Sequence, residues 1–322
     1  MKIKKYLWIA AILLSLGFVL WPVPDLPPVR YIDRESGEVV TEKIPAEGWL
    51  KWLYYNPAGE LTLELLVKRK VVSALYGYWM NRPGSARKIA PFVGEFDIDL
   101  RQSVKQDFES FNDFFTRELK PGLRPVDTAR EVVVSPADGK VLVWQNAGKG
   151  DFIVKGSRFD IAGFLRDEEL ASIFENGTLM LFRLSPPDYH RFHFPVDGRV
   201  IETLKINGNY YSVNPIAIRD IIEIFWENKR EWTLIETEEF GKVIMAEIGA
   251  TMVGSIIQTY QSKVVKKGDE KGYFMFGGSS VVLLFEPGRV CGDEDLILNT
   301  ENGMETSVEM GRRVAVACPE SI

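Results

Sequence analysis

Histidine and cysteine are scarce in this chain of 322 residues, which has two of each. Two cysteines, Cys291 and Cys318, are too few for a disulfide framework or for a cysteine-rich metal site. A metal held by the two histidines would need further ligands of a suitable type, so we predict no bound metal. Excess positive charge is also missing, because the net charge is −6 at pH 7, and this disfavours nucleic acid as a partner.

The amino terminus contains an apolar segment, but it is short. Residues 6–21 carry no charge and fall slightly below the roughly 17–25 residues of a membrane-spanning helix. A basic start precedes the segment, at Lys2, Lys4 and Lys5. A secretory signal would share this pattern, but no small-x-small cleavage site follows. We therefore predict that residues 1–30 are a retained hydrophobic anchor and a proline-rich linker. The protein would be membrane-associated, on a side that the sequence leaves open.

Hydrophobic periodicity predicts helices in the next part of the chain, residues 31–125, after a short strand or hairpin at 31–40. The predicted helices span 48–55, 61–78 and 103–118. Between residues 65 and 94, Lys and Arg are interleaved with aromatic residues, and no Asp or Glu occurs. A face lying on an anionic bilayer has this pattern, and so does an ordinary solvated basic helix. We interpret residues 31–125 as a helical membrane-docking region.

The remaining part, residues 126–322, has the pattern of a β-rich domain. Short runs of β-forming residues are separated by Gly, Pro and Asp, and one helical insertion is predicted at 160–174. The predicted strands are 132–134, 140–144, 179–184, 198–206, 243–248, 253–260 and 280–285. The predicted fold class is therefore α+β, with a barrel-sandwich-like catalytic core and the helical region packed on it.

Three turns in this part carry residues with catalytic chemistry. Asp138 follows a predicted strand, His190 and His193 lie in one short segment, and Ser279 follows two glycines at the junction of two apolar runs. Taken singly, each is more often structural: a turn-capping carboxylate, a scaffold histidine or a serine at a β-bulge. Together they supply a nucleophile, a base and an orienting carboxylate. No Gly-x-Ser-x-Gly elbow is present, so the nearest target for Ser279 is the preceding carbonyl of Gly278.

Several motifs, in the same order, resemble those of the phosphatidylserine decarboxylase family, whose members are self-processing, pyruvoyl-dependent membrane enzymes. The resemblance covers nearly the whole chain after the anchor. The matching segments are Ser135-Pro-Ala-Asp-Gly139, Lys155-Gly156, Tyr189-His-Arg-Phe-His-Phe-Pro195, Val213-Asn-Pro215, Val253-Gly-Ser-Ile256 and Phe276-Gly-Gly-Ser-Ser280. Many members have Gly-Ser-Thr where this chain has Gly-Ser-Ser, which leaves Ser280 as a competitor for the role of nucleophile.

The resemblance implies that the chain cuts itself between Gly278 and Ser279. Asp138 and His193 would form a charge relay that activates the Ser279 hydroxyl, and Ser279 would become a covalent pyruvoyl group. The ketone of that group would form a Schiff base with the amine of phosphatidylserine and act as an electron sink while CO2 leaves. His190 would serve the decarboxylation step, although spacing alone allows the two histidines to exchange roles.

The resemblance also implies the partners of the chain. These are phosphatidylserine in an anionic membrane and the two fragments of the chain itself, which would stay together as a heterodimer. A higher homo-oligomer is left open. Lys155, Arg191 and Asn214 are weaker candidates for contacts with the substrate headgroup, because each residue also fits a structural role.

Two other functions are left open by the residues alone. A membrane-anchored serine hydrolase would use Asp138, His193 and Ser279 without cutting the chain. A non-enzymatic carrier of the lipoyl or biotinyl type is suggested by the turn at 264–272, but the lysine attachment motif of such carriers is missing. Both alternatives predict one intact chain, whereas the decarboxylase hypothesis predicts two fragments.

Overall fold

The structure, a computed structural model of the chain, describes residues 6, 8, 16–145, 153–154, 157–218, 224–250, 255–277 and 279–319. Two residues of the predicted site, Lys155 and Gly278, lie outside this part, as does most of the predicted anchor segment. Among the described residues, no helix combines the length and the apolar character needed to cross a bilayer. The anchor therefore stays a prediction.

The strands follow the predicted pattern closely. They are β1 (Arg30–Ile32), β2 (Val39–Thr41), β3 (Val132–Val134), β4 (Gly139–Trp144), β5 (Ile153–Val154), β6 (Ser157–Arg158), β7 (Thr178–Leu184), β8 (Arg191–His193), β9 (Gly198–Ile206), β10 (Arg230–Glu236), β11 (Lys242–Ile248), β12 (Ile256–Gln258), β13 (Val264–Val265), β14 (Glu270–Phe274), β15 (Ser279–Phe285), β16 (Val290–Gly292), β17 (Glu305–Val308) and β18 (Arg313–Ala317). Six of the seven strands predicted from residue 132 onward agree within one residue at each end. Of the strand predicted at 253–260, residues 253 and 254 lie outside the described part, and within 255–260 only β12 is a strand. Strands β5, β6, β8, β10, β13, β16, β17 and β18 were not predicted, and β10, the longest of them, was missed because charged residues interrupt its apolar ones.

One large sheet holds ten of these strands, in the order β13-β9-β10-β11-β15-β7-β4-β17-β1-β2. Its pairs are antiparallel apart from β1 and β17. Strand β15 lies in the middle, hydrogen-bonded to β11 on one side and to β7 on the other. Two three-stranded sheets accompany it, β12-β14-β8 and β16-β18-β3. The predicted α+β class with a β-rich core is confirmed.

Two hydrophobic clusters lie on the two faces of the large sheet, because successive side chains of a strand point to opposite faces. Val281 and Leu283 of β15 belong to a cluster that also contains Phe192, and we call it the Phe192 cluster. Val282 and its neighbours on the other face belong to a cluster that contains Trp232, the Trp232 cluster. Both faces of β15 are therefore buried, which explains its unbroken apolar sequence.

Helices occur both in the region before residue 126 and in the β-rich part after it. They are α1 (Glu47–Tyr55), α2 (Pro57–Thr62), α3 (Lys70–Met80), α4 (Ile89–Phe96), α5 (Phe111–Phe115), α6 (Ile161–Leu165), α7 (Glu168–Phe174), α8 (Pro215–Ile218), α9 (Ile224–Glu227) and α10 (Glu294–Glu301). The predicted insertion at 160–174 consists of α6 and α7, which begin with the capping carboxylates of Asp160 and Asp167. Helices α8, α9 and α10 show that the prediction of a single helical insertion in residues 126–322 was wrong.

Two predicted helices are wrong in their extent. Residues 61–78 are not one helix, because Arg69 is extended, with ψ of 137°, and separates α3 from a π-helical turn at Leu63–Val67. Of residues 103–118, only α5 is an α-helix. The phenylalanines of α5 pack on Phe92 and Phe276 from distant segments. Tertiary contacts, and not a helical period, therefore account for the spacing of these aromatic residues.

The two cysteines form a disulfide, which their number and spacing did not predict. Cys291 in β16 is bonded to Cys318, which directly follows β18. Strands β16 and β18 are antiparallel neighbours, and this pairing brings the ends of the two strands together. A single bridge is consistent with the exclusion of a disulfide framework, but only the strand pairing shows that the two cysteines meet.

Candidate active site

Ser279 is the first residue of the central strand β15, and its side chain is fully buried. Its Oγ has no hydrogen-bond partner among the described residues. A buried hydroxyl left without a partner costs about 1–3 kcal/mol, so it is a poor structural choice and calls for another explanation. Two residues earlier, Gly277 has φ of 143°, a conformation that residues with a side chain rarely adopt. The glycine predicted at this break is therefore required by the backbone.

Ser280 is also buried without a partner, but it faces the other way. Ser279 pairs across the sheet with Leu184, which belongs to the Phe192 cluster. Ser280 pairs with Arg183 and Ile248, and Ile248 belongs to the Trp232 cluster. The pleat of β15 therefore places the two hydroxyls on opposite faces of the sheet, and the choice of Ser279 as the nucleophile stays a prediction.

His190 is fully buried, and its ring lies 3.9 Å, centroid to centroid, from that of Phe115 in α5. Its Nδ1 lies 2.9 Å from the backbone oxygen of Asp188. A carbonyl only accepts, so Nδ1 carries the proton and Nε2 carries a lone pair. That Nε2 atom has no partner among the described residues. The site therefore contains a buried base with a free nitrogen.

Burial lowers the pKa of His190 to about 3 and also lowers the pKa of His193. In the unfolded chain a histidine binds a proton near pH 6.5. Between these values the unfolded state binds more protons than the folded state, so the free energy of unfolding falls as the pH is lowered. For His190 alone we expect a loss of about 1.4 kcal/mol between pH 7.5 and pH 5.5.

Urea denaturation at these two pH values tests this expectation. The Ser279→Ala variant provides a suitable background because it should remain a single chain. Adding His190→Gln should reduce the difference in free energy of unfolding between the two pH values by about 1.4 kcal/mol. An unchanged difference would show that the folded protein does not keep the His190 ring neutral.

His193 ends β8, and the extended backbone of this strand carries Phe192 and Phe194 into the Phe192 cluster. The Nδ1 of His193 donates to the backbone oxygen of Gly268 at 3.0 Å, and Nε2 lies 3.3 Å from the hydroxyl of Tyr189. By the same reasoning as for His190, Nε2 of His193 is the basic nitrogen. The two histidines therefore have separate surroundings, although they are three residues apart.

Asp138 is mostly buried in the turn that precedes β4, and its carboxylate is held from two sides. Arg124 donates Nε to Oδ1 at 2.9 Å and Nη2 to Oδ2 at 2.6 Å. The backbone N–H of Met310 donates to Oδ1 at 2.8 Å. A bidentate arginine and an amide fix the carboxylate strongly. Arg124 is a site neighbour that sequence reasoning did not single out.

The relay of Asp138, His193 and Ser279 stays a prediction. Within the described part of the chain, no hydrogen bond joins Asp138 to His193 or either of them to Ser279. The negative charge of Asp138 acts to raise the pKa of His193, against the larger lowering effect of burial. Asp138 thus lies within electrostatic range of His193, while the hydroxyl of Tyr189 occupies the nitrogen that the relay would use.

Arg191 and Asn214, two of the weaker candidates for contacts with the substrate headgroup, both have structural partners. Arg191 contacts Glu118 and Glu270, so its guanidinium is already paired. The side chain of Asn214 accepts from the backbone N–H of Ile216 in α8, which is a structural cap. No group of three or more His, Cys, Asp or Glu in the described residues is placed to hold a metal ion, and the absence of a metal stays a prediction.

Arg117 is a second residue that the sequence analysis missed. It lies two residues after Phe115 and lines a cleft of about 420 Å3 together with Asp138, Lys140 and Tyr189. Its Nη1 is buried without a hydrogen-bond partner among the described residues. The available signal was an arginine two residues after a run of phenylalanines, a position that burial of the neighbouring rings makes costly for a charge.

Comparison with known proteins places the chain in one family. The family model described as phosphatidylserine decarboxylase matches residues 111–316. A phosphatidylserine decarboxylase proenzyme of Fusobacterium nucleatum is 52% identical over 289 residues, which cover 88% of this chain and 96% of the relative. The proenzymes of Clostridium kluyveri and Desulfitobacterium hafniense are 43% and 42% identical, each over 292 residues, covering 89% of this chain and 99% and 98% of those relatives.

The matched region begins with α5, which carries Phe115, and it includes Asp138, both histidines and Ser279. The similarity to whole relatives extends over nearly their full length, so it is not confined to a shared module. The chain belongs to the phosphatidylserine decarboxylase family.

Proposed function

We propose that the chain is a proenzyme that cuts itself between Gly278 and Ser279 and then decarboxylates phosphatidylserine to phosphatidylethanolamine. Membership of the family supports the substrate and the reaction. The observation that carries the self-cleavage is the buried Oγ of Ser279 at the start of the central strand, which has no partner among the described residues and lies two residues after Gly277 with its positive φ.

Maturation uses the residues of the chain itself. Nε2 of His193 takes the proton of the Ser279 hydroxyl once the hydroxyl of Tyr189 turns away from it. The Ser279 oxygen attacks the Gly278 carbonyl, and the peptide C–N bond breaks to give an ester. Loss of the Ser279 α-proton then breaks the bond between Cβ and oxygen, which releases Gly278 as a carboxylate. Hydrolysis of the resulting dehydroalanine gives ammonia and the pyruvoyl group.

The surroundings of Ser279 suit a pyruvoyl group. The residue is buried, and its strand is hydrogen-bonded on both sides by β11 and β7, which would hold the modified end in place. The group supplies a ketone that condenses with the substrate amine and accepts electrons as CO2 leaves. No charged side chain needs to be displaced from Ser279 Oγ, because that atom has no partner among the described residues.

His190 would handle the proton of the decarboxylation step. Its Nε2 is neutral, since burial lowers the pKa of the ring to about 3. A substrate ammonium group must lose a proton before its nitrogen can condense with a ketone, and a substrate carboxylate placed beside Nε2 would raise the pKa of the ring so that it can take that proton. The same nitrogen then returns a proton to the carbon that loses CO2, in the manner of a general acid. The free Nε2 supports this assignment.

The two fragments should stay associated after the cut. Residues 279–285 form β15, whose neighbours β11 and β7 belong to the longer fragment. The amide of Met310 in the short fragment also donates to Asp138 in the long one. The disulfide joins Cys291 to Cys318, both in the short fragment, so it does not link the two pieces. Denaturation without reductant should therefore separate them.

Intact-mass measurement of the purified protein tests the proposal. We expect one fragment ending at Gly278 and one that begins with a pyruvoyl group in place of Ser279. Treatment with borohydride and phosphatidylserine should add the mass of the substrate to the short fragment only. A single uncut chain with an unmodified Ser279 would exclude the proposed processing and would leave the hydrolase and carrier alternatives.

A membrane-docking surface is part of the proposal. Large apolar side chains of α1, α2, α3 and the π-helical turn are exposed, namely Trp49, Leu61, Leu65, Leu66, Val71, Leu75, Tyr78 and Trp79. Trp52 and Asn56 donate to the backbone oxygen of Val19, which places the end of the apolar segment beside these helices. An apolar patch close to the six Lys and Arg residues between positions 65 and 94 fits an anionic bilayer. The anchor, the barrel-sandwich form of the core, the membrane side and any higher oligomer stay predictions.

Site-specific labelling tests the docking surface. An environment-sensitive dye on Val71→Cys should shift its emission to the blue when phosphatidylserine vesicles are added, because this side chain would enter the apolar boundary of the bilayer. Leu298→Cys is the matched control, since Leu298 is similarly exposed but lies in α10. Equal shifts at the two positions would contradict the assignment of the surface to α1–α3.

A further inference from the structure

Arg117 is unlike the other deeply buried arginines of the described chain. Arg183 forms ion pairs with Glu42 and Glu305. Arg230 donates to four backbone carbonyls. Arg117 makes one hydrogen bond, from Nη2 to the backbone oxygen of Pro187 at 3.0 Å, and its Nη1 is unpartnered.

This arrangement is destabilising for the protein alone. Arg117 is only 8% exposed, and the described residues provide no carboxylate within ion-pair distance of its guanidinium. The group lies 5.0 Å above the ring of Phe114, which compensates only part of the lost hydration. A buried charge without a paired partner costs several kcal/mol. An anion that binds during function would explain why such a group is present.

The position of Arg117 connects it to the reaction site. Its neighbour in α5, Phe115, lies against the ring of His190, and the positive charge of Arg117 contributes to lowering the pKa of that histidine. Pro187, which Arg117 contacts, precedes the segment of the two histidines. The cleft that Arg117 lines has a volume of about 420 Å3, within the range of small-ligand sites.

We propose that Arg117 binds the phosphodiester of the substrate headgroup. The proposal rests on the proposed function and deepens it. A planar guanidinium matches two phosphate oxygens, and a phosphodiester keeps its charge throughout the reaction. The substrate carboxylate, in contrast, leaves as neutral CO2. A cation on that carboxylate would stabilise the ground state more than the transition state and would slow the reaction. The geometry of Arg117 thus suits uniform binding of substrate and product.

Steady-state kinetics on short-chain phosphatidylserine, below its micelle concentration, tests this assignment. Arg117→Met should raise KM about 10- to 100-fold and leave kcat within about twofold, which is the signature of a lost uniform interaction. Arg130→Met is the matched control, because Arg130 is exposed, is paired with Glu238 and does not line the cleft. It should behave as the unaltered enzyme. A fall in kcat with unchanged KM would overturn the assignment.

Inhibitors separate the phosphate from the other groups of the headgroup. Glycerophosphoethanolamine, which has the phosphodiester but no carboxylate, should inhibit the unaltered enzyme and lose about 10- to 100-fold in affinity in Arg117→Met. Free serine should inhibit both proteins equally, and inorganic phosphate should compete only with an intact Arg117. If serine alone loses affinity, Arg117 binds the carboxylate and the proposal is wrong.

Self-cleavage of each variant is measured by intact mass alongside the kinetics. Normal cutting of Arg117→Met shows that the variant folds and processes itself. If Arg117→Met does not fold and cut itself, Arg117→Lys is used instead, because it keeps the positive charge but loses the planar guanidinium that binds two phosphate oxygens. We then expect a raised KM with kcat retained. An unchanged KM would overturn the proposal. An uncut, inactive unaltered protein would instead remove the proposed function itself.

Discussion

Ser279→Ala is expected to give a single uncut chain with no measurable decarboxylation. The substitution removes the only oxygen that can attack the Gly278 carbonyl from the following residue, and with it the atom that processing converts to a ketone. The loss should be complete because two stages depend on one side chain. Intact mass and release of CO2 from phosphatidylserine measure the two stages separately.

Ser280→Ala is the matched control for this prediction. Ser280 is as deeply buried as Ser279 and also lacks a partner among the described residues, but it lies on the opposite face of β15, beside Arg183. We expect normal cutting and activity within a few-fold of the unaltered enzyme, because removal of an unpartnered buried hydroxyl leaves no group unsatisfied. If Ser280→Ala prevents cutting while Ser279→Ala does not, the nucleophile has been assigned to the wrong residue.

Replacement of His193 and replacement of His190 are expected to block different stages, self-cleavage and decarboxylation respectively. His193→Ala should leave the chain uncut, since the nitrogen that activates Ser279 is lost. His190→Ala should cut normally and then show kcat/KM reduced by about 10²- to 10⁴-fold, the usual contribution of a general acid–base group. Each variant serves as the control for the other, because the two rings are both buried and lie on one segment.

Timed mass measurements after synthesis distinguish the stages. Cutting is followed by the appearance of the short fragment, and decarboxylation is assayed only on material that has been cut. The roles are reversed if His190→Ala stays whole and His193→Ala is cut but inactive. Normal cutting by His193→Ala would remove this residue from the relay, and Tyr189, which contacts its Nε2, would then need to be examined as the proton acceptor.

The positions of the chemical groups were predictable from the sequence, because each belongs to a turn or strand end with a local signature. Gly-Gly before Ser279 signals a backbone break, and the structure confirms positive φ at Gly277. Strands β3, β4 and β15 beside Asp138 and Ser279 were also predictable, since their β-forming residues lie in short runs, whereas β8, which carries His193, was not predicted. The prediction of a helix at 103–118 was wrong because the spacing of its phenylalanines reflects packing on Phe92 and Phe276 and not a helical period.

Residue contacts within the site were not predictable. Arg124 and Met310 hold Asp138, although they lie 14 and 172 positions away in the chain. Arg117 carried no motif of its own, and its importance follows from burial and an unused N–H group. Asn214 and Arg191 matched the family pattern but proved to have structural partners. Such pairings depend on which segments the fold brings together.

The sequence by itself determined the order of the strands along the chain, the break before Ser279 and the membership of a family of decarboxylases. Only the tertiary structure decided that Ser279 and Ser280 face opposite clusters, that the two histidines have different partners, and that Nη1 of Arg117 has no hydrogen-bond partner in the described part of the chain. The physical reason is the distance along the chain over which each property is determined. Backbone conformation and strand formation depend on neighbours in sequence, whereas burial and hydrogen-bond partners are set by contacts between distant segments.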